Sequence, residues 1–426
     1  MRSHITEGLV PQSNHSVSSL LFNRSSPSKP ILFTLKFSTA LIALSAAIAT
    51  AAPVAQTADD VPDVSGRYII RLNSGVSQTK HMEFVRDLHA RSIEKRQDGR
   101  RWRGVEKSFG FGKFHGYSGH FDDDVVKEIE ASDDVEMVEA DQVWTTYATQ
   151  TGAPYGIAAL SSRNAGSTTY TYDTTAQGTF GYVVDTGINT AHTAFGGRAS
   201  NGYNAVGGAF TDSVGHGTHV AGTMGSDRFG VAKQSNLIAV KVFAGSSGST
   251  ATILEGFDWA VNDIITKGRQ NKAVINMSLG GGNSAAFTAA VNDAFDDGVV
   301  SVVAAGNSNT NAASTSPANA AKAITVGSVD SRRARSTFSN YGTVVDVFAS
   351  GTGILSTWIG SNSATNTISG TSMASPHVAG LVNYLQALVP GNAAAITNQI
   401  VTRSIKNVVT NPGSGSNNRL AFNGAT

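Results

Sequence analysis

The chain has 426 residues, is 40% hydrophobic, carries a formal net charge of +1 and contains no Cys. It is longer than one ordinary domain and can bury a sizeable core. Near-neutral charge argues against nucleic acid as a partner, and the lack of Cys excludes disulfides, thiolate metal centres and Cys nucleophiles.

Residues 37–52 read FSTALIALSAAIATAA, with Lys29 and Lys36 before them and Pro53 after. This short apolar run ends in an A-x-A-like site, Ala49-Thr50-Ala51. That is the pattern of a secretory signal peptide; a short membrane anchor is the alternative. A long polar, Ser-rich stretch precedes the run. No later stretch is long and apolar enough to span a bilayer. Residues 1–52 are therefore expected to be a signal region, and the mature protein to be extracellular, off the membrane and monomeric. Without Cys, a secreted protein draws its stability from packing or bound ions.

Residues 53–147 are expected to form a small α+β domain. RYIIRL (Arg67–Leu72) is a β-branched strand candidate. Gln78–Ile93 has helical spacing, with Met82, Val85, Leu88 and Ile93 apolar. Arg91–Arg103 reads as a basic loop, and Phe111–Phe121 as Gly-broken strand structure. Asp122 can cap a helix carrying Val125, Val126 and Ile129, and Val135–Ala140 is a last strand. The order β-α-β-α-β puts helices on one face of a sheet.

From about residue 148 to 426 charge thins out, and Gly, Ser, Ala and Asn dominate. Apolar strands are expected at Gly178–Asp185, Asn236–Phe243, Ala273–Leu279, Val299–Asn307 and Lys322–Val329. Helices are expected at Thr252–Lys267, Ser284–Asp297 and Met373–Leu388. Continuous apolar strands alternating with helices predict a parallel α/β sheet covered on both faces.

Three segments stand out in this region. Asp185 closes a buried strand, where open α/β sheets place their sites, although a turn or cap would also use an acid there. Gly215-His216-Gly217-Thr218-His219 puts two His three apart among small residues. It lacks the Glu and third ligand that a zinc motif needs, and its small residues allow close backbone approach. Ser369-Gly370-Thr371-Ser372-Met373-Ala374-Ser375-Pro376-His377 puts Ser372 at a helix start. There, free N–H groups and the dipole favour an oxyanion.

Together the three segments resemble the signature blocks of the subtilase family, closest to its proteinase K branch. The chain order Asp, His, Ser is that of subtilisin, and Met373-Ala374 after the serine departs from the Gly-x-Ser-x-Gly elbow. The likeness spans residues 148–426, and the preceding α+β unit is similar to the family's inhibitor-type propeptide, of ferredoxin-like form. It implies a subtilisin-like peptidase domain with Ser372 as nucleophile, His216 as general base and Asp185 as its orienting partner. His219 is similar to the family's second, structural His. Asn307 resembles the side-chain donor of the oxyanion hole, with the Ser372 N–H beside it; in subtilisin, losing that amide is known to cost about 10²–10³ in kcat.

The resemblance also implies a cleft in which Ser278-Leu279-Gly280-Gly281 and Ser247-Gly248-Ser249-Thr250 flank an extended peptide. Leu279, Gly280, Ala304 and Gly306 would line a small apolar S1 pocket. The substrates implied are proteins and peptides, with broad specificity and an apolar or aromatic residue preferred at P1. Asp346 matches the carboxylate of the family's strong calcium site, with carbonyls of Ala321 and Ala323; a strand-end turn would use the same Asp. Val220 stands where the proteinase K branch often has Cys. A self-processing zymogen is implied, held by its own propeptide as an intramolecular inhibitor and cut within about three residues of the Tyr147–Ala148 bond. A pseudoprotease and a non-peptide esterase are the competing readings.

Overall fold

The structure is a computed structural model that describes residues 63–95, 101–111, 114–141, 148–389 and 391–425. The expected signal region, and residues up to Tyr147 at the expected cleavage point, lie outside the described residues.

The first described unit runs β1 (Arg67–Leu72), α1 (Gln78–Lys95), β2 (Gly104–Phe111), β3 (Phe114–His120), α2 (Asp123–Glu130) and β4 (Val135–Ala140). Its sheet has the order β2-β3-β1-β4. One strand more is present than the sequence suggested, so the order is β-α-β-β-α-β, the split βαβ form. The extra strand is β2. It is a polar edge strand whose only ladder is with β3 among the described residues, and an edge strand needs no continuous apolar run. Asp122 caps α2, its Oδ1 accepting from the backbone N–H groups of Asp124 and Val125 at 3.0 Å each. Val125, Val126 and Ile129 then face Ile70, Leu72, Val85 and Leu88 in one small core.

From Ala148 onward the elements are β5 (Ala148–Thr151), α3 (Tyr155–Ala158), β6 (Thr169–Tyr172), β7 (Phe180–Asp185), β8 (Ala199–Asn204), α4 (His216–Gly225) and β9 (Asn236–Lys241). Next come α5 (Thr250–Thr266), β10 (Ala273–Met277), β11 (Gly281–Gly282), α6 (Ala285–Asp296), β12 (Val300–Ala304), β13 (Thr315–Ser316), β14 (Ile324–Val329) and β15 (Val347–Ser350). The chain closes with β16 (Ile354–Thr357), β17 (Thr365–Ile368), α7 (Thr371–Leu388), α8 (Ala393–Arg403), β18 (Ile405–Lys406) and β19 (Arg419–Leu420).

The main sheet has nine strands in the order β18-β19-β15-β14-β12-β10-β7-β9-β8. Its pairings are parallel apart from β18 with β19. Strand alternation sends successive residues to opposite faces. Val183, Val302 and Val326 join Val220, Val378 and Val382 on the α4/α7 side. Tyr182, Val184 and Ile275 join Phe257, Ile264, Phe287 and Val291 on the α5/α6 side. The sheet is therefore a buried middle layer, as its apolar strands predicted.

Candidate active site

β7 lies between β9 and β10, third from one edge of the sheet, and Asp185 is its last residue. The chain leaves β7 toward β8 and β9 on one side and returns as β10 on the other, which makes this the crevice of an open α/β sheet. Asp185 is 1% exposed. Its Oδ1 accepts from Thr186 N at 2.7 Å and from His216 Nδ1 at 2.8 Å, with Oδ2 at 3.0 Å from the same nitrogen.

His216 opens α4, and the residue after it explains the close fit. A side chain at Gly217 would collide with Gly187 O and lie 3.1 Å from Asp185 Oδ1. Only glycine lets the start of α4 rest against the end of β7. Burial by itself would disfavour the charged ring of His216. The Asp185 charge, its hydrogen bond and the Asp212 charge outweigh that and raise the pKa above the ordinary value.

Ser372 is the second residue of α7. A side chain at Gly380 would stand 2.6 Å from Met224 O, so this glycine lets α7 pack onto the backbone of α4. Ser278, just past β10, fixes the other side. Its Oγ donates to Ser372 O at 2.7 Å and accepts from Asn276 Nδ2 at 3.0 Å. Ser375 Oγ donates to Asn276 Oδ1 at 2.7 Å, completing a buried network that pins the helix start to the strand end. Ser372 Oγ donates to Ser278 O at 3.2 Å, so its hydroxyl is turned to that carbonyl and not to His216 Nε2. Catalytic hydrogen bonds are often long or poorly aligned without substrate and tighten once it is bound.

Asn307 follows β12. Its Oδ1 accepts from Thr371 N and from Thr371 Oγ1, both at 2.8 Å. Because Thr371 N can only donate, the amide orientation is fixed and Nδ2 is turned the other way. The point where a side chain would start on Gly370 lies 3.6 Å from both Asn307 Nδ2 and Ser372 N. Two N–H donors thus flank one position next to Ser372, the arrangement that stabilises an oxyanion. The loop that carries Asn307 is held by Asn340. Asn340 Oδ1 accepts from Ser308 N and Thr310 N at 3.0 Å each, and its Nδ2 donates to Ala305 O at 2.9 Å.

The expected cleft residues sit around this crevice. Ala304 ends β12 and is buried, and Gly306 follows two residues later. Leu279 is half-buried and Gly280 exposed. Ser247, Gly248 and Ser249 are exposed coil between β9 and α5. Ser249 also caps α5, its Oγ accepting from Thr252 N at 3.2 Å. Neither 247–249 nor 278–280 pairs into a sheet among the described residues. An edge meant for a peptide has its partner only when the peptide is present.

His219, expected to be structural, is fully buried and its Nε2 donates to Ile354 O at 2.9 Å. Asp346 lies at the opposite, amino edge of the sheet, immediately before β15. Ala321 and Ala323 immediately precede the neighbouring strand β14. Asp346 Oδ2 accepts from Thr325 N at 2.8 Å. Burial pushes its pKa up to about 6, against smaller opposing effects of the Thr325 bond and Arg419.

Sequence reasoning missed Thr371, Asn340 and Asp212. Thr371 lies within the serine segment, next to Ser372, and Asp212 stands three residues before Gly215 at the start of the histidine segment. Asn340, 33 residues beyond Asn307, leaves no local signal.

A parallel sheet with helices on both faces and an Asp–His pair at its carboxyl edge defines a hydrolase scaffold, and comparison with known proteins makes it a serine protease. Residues 178–422 match the subtilase family model, and residues 67–147 match the peptidase inhibitor I9 model. The chain belongs to the subtilase family and carries an I9-type inhibitor domain ahead of its peptidase domain. It is 54% identical over 394 residues to the alkaline proteinase of Hapsidospora chrysogena, covering 88% of this chain and 95% of that protein. It is 51% identical over 371 residues to alkaline protease 1 of Emericella nidulans, covering 85% of this chain and 92% of that protein. A crystal structure of a cold adapted subtilisin-like serine proteinase superposes with a TM-score of 0.60 at 40% identity, covering 64% of this chain and 99% of that one.

Proposed function

We propose that this chain is a secreted serine endopeptidase, made as a self-processing zymogen, with Asp185, His216 and Ser372 as its triad. The observation that carries the reading is the Asp185–His216 bond at 2.8 Å, formed where α4 and α7 converge on the end of β7. The Ser372 hydroxyl attacks the scissile carbonyl as His216 Nε2 takes its proton. Asp185 holds the Nδ1–H tautomer and stabilises the imidazolium, which later protonates the leaving amine. Asn307 Nδ2 and Ser372 N receive the oxyanion.

Peptide lies extended between 247–249 and 278–280, held by main-chain hydrogen bonds, so that selectivity rests on the S1 walls at Leu279, Gly280, Ala304 and Gly306. These walls are small or apolar, which supports broad specificity with apolar or aromatic P1. The I9 domain occupies the cleft until the chain cuts itself within about three residues of the Tyr147–Ala148 bond, and mature enzyme is released outside the cell as a monomer.

A calcium ion at Asp346, with the carbonyls of Ala321 and Ala323, would tie β14 to β15. A hard cation suits this oxygen donor set and a carboxylate whose burial opposes its charge. The ion would act as a structural tie, away from the chemistry.

A fluorophosphonate probe tests the central claim. It should label wild-type enzyme on Ser372 and leave Ser372→Ala unlabelled. Ser372→Ala should also lose about 10⁶-fold in kcat, the scale known for subtilisin, and its precursor should stay uncleaved when purified. Activity within tenfold of wild type would overturn the assignment.

A further inference from the structure

A second buried carboxylate stands behind the Asp185–His216 pair, and the chemistry above does not use it. Asp212 is 7% exposed. Its Oδ1 accepts from Thr186 Oγ1 at 2.9 Å, Val214 N at 3.0 Å and Gly215 N at 2.8 Å. Its Oδ2 accepts from Thr218 N at 2.9 Å and Thr218 Oγ1 at 2.7 Å. Each contact is a donor, which suits an ionised carboxylate, a group that only accepts. Gly215, the residue that should cap α4, has no side chain to do so. Asp212 does it from outside, gripping the turn on both sides of His216.

Lys241, at the end of β9, is 3% exposed. Its Nζ donates to Thr186 O at 2.5 Å and Thr211 O at 3.2 Å. Thr186 therefore joins three charged groups: its N–H to Asp185, its hydroxyl to Asp212 and its carbonyl to Lys241. Two carboxylates and one ammonium leave this buried cluster with one negative charge in excess, and a protonated His216 supplies the balancing positive charge.

We propose that Asp212 is a positioning residue of the active site, whose charge offsets Lys241 so that Asp185 is left to the His216 imidazolium, and whose hydrogen bonds aim the His216 turn. The proposal rests on the reading of His216 as general base. Lys241 sits in the field of both carboxylates. Burial lowers its pKa, and Asp212 and then Asp185 act to raise it. Without Asp212, the ammonium would draw on the charge of Asp185. His219 on α4 and His377 on α7 are both pushed down to about 4 by burial.

The test is kcat/KM against pH for wild type, Asp212→Asn, Lys241→Met and the double variant, with circular dichroism to confirm folding. The acid limb reports the base of the free enzyme. Asp212→Asn should move that limb to lower pH by roughly half a unit to one unit, and Lys241→Met should move it up by a similar amount. The double variant should bring it back near the wild-type position. A residue that only supported the fold would lower activity without moving the limb, and deleting Lys241 would not restore it. Limbs that stay in place in the folded variants overturn the proposal. If Asp212→Asn does not fold, Lys241→Met decides alone: an upward shift supports the proposal and an unmoved limb overturns it. A wild type with no acid limb, or an active Ser372→Ala, would instead overturn the triad reading, and this proposal with it.

Discussion

Two carboxylates stand at opposite edges of the same parallel sheet. Asp185 closes β7 at the carboxyl edge and is met by the Thr186 amide and the His216 ring. Asp346 stands before β15 at the amino edge and accepts from the Thr325 amide. A buried carboxylate is costly unless its charge is matched. At the carboxyl edge the match is the His216 ring, whose charged form Asp185 favours and which the proposed mechanism protonates, and helix starts gather there with their free N–H groups. At the amino edge the close donor is a neutral amide, so the charge is better served by a cation from outside. One edge thus holds groups whose charge changes, and the other holds a charge that a fixed ion would stabilise.

Replacing each acid in turn should separate these roles. Asp185→Asn should lower kcat by about 10⁴, the loss known for the same change in a related triad, because it favours the wrong His216 tautomer. Its melting temperature should stay close to that of wild type. An enzyme with kcat within tenfold of wild type would break the comparison at its stronger end.

A smaller effect belongs to Asn307. Asn307→Ala should lower kcat by about 10²–10³, the subtilisin precedent, with KM little changed, since the amide meets charge only in the transition state. A rise in KM at constant kcat would mark Asn307 as a ground-state contact.

At the amino edge the readout is stability. Calcium bound only to the folded protein stabilises it by about 2.7 kcal/mol at a free concentration 100 times Kd. Chelator should therefore lower the melting temperature of mature enzyme, and Asp346→Ala should remove that response while sparing kcat at low temperature. Identical melting curves with and without chelator would refute the site.

Much of this contrast was legible before any coordinates. The structure brings Asp185 and His216 together, and the runs that hold them could be picked out because their small residues are needed for close approach, as Gly217 shows against Gly187 and Asp185. The parallel sheet was legible because its strands are apolar on both faces. The supports were harder to read. Asn340 reaches the Asn307 loop from a distant part of the chain, and Asp212 looks in sequence like any turn aspartate. Their roles come from tertiary hydrogen bonds that leave no periodicity. Strand β2 was missed for the opposite reason: as an edge strand it carries Glu106, Lys107 and Ser108, and reads as loop.

The last and smallest effect concerns the buried histidines between the two edges. Burial pushes His219 down from 6.5 to about 4, with hydrogen bonds to Ile354 and Asn366 opposing. His377 is likewise lowered from 6.5 to about 4 by burial, with the Met373 and Ser350 backbone opposing. Both fold in the neutral form, so between these values the unfolded chain binds more protons than the folded one. Their contribution to stability is therefore full above about pH 6.5 and is lost as pH falls toward about 4. His216 works the other way. Its raised pKa gives stability that is present below 6.5 and lost as pH rises through its folded value. His216 acts only above about pH 6.5, and Asp346, whose pKa burial raises from 3.8 to about 6, opposes the two rings below that. Two depressed rings outweigh one raised carboxyl, so acidification still weakens the fold, each depressed ring contributing up to about 1.4 kcal/mol per pH unit. Melting curves of Ser372→Ala, which cannot digest itself, should fall steadily from about pH 7 to about pH 4.5. Adding His219→Gln should make that slope shallower by close to one proton, after allowing for a lower starting stability. A slope unchanged by the substitution would show that His219 is not the group being protonated.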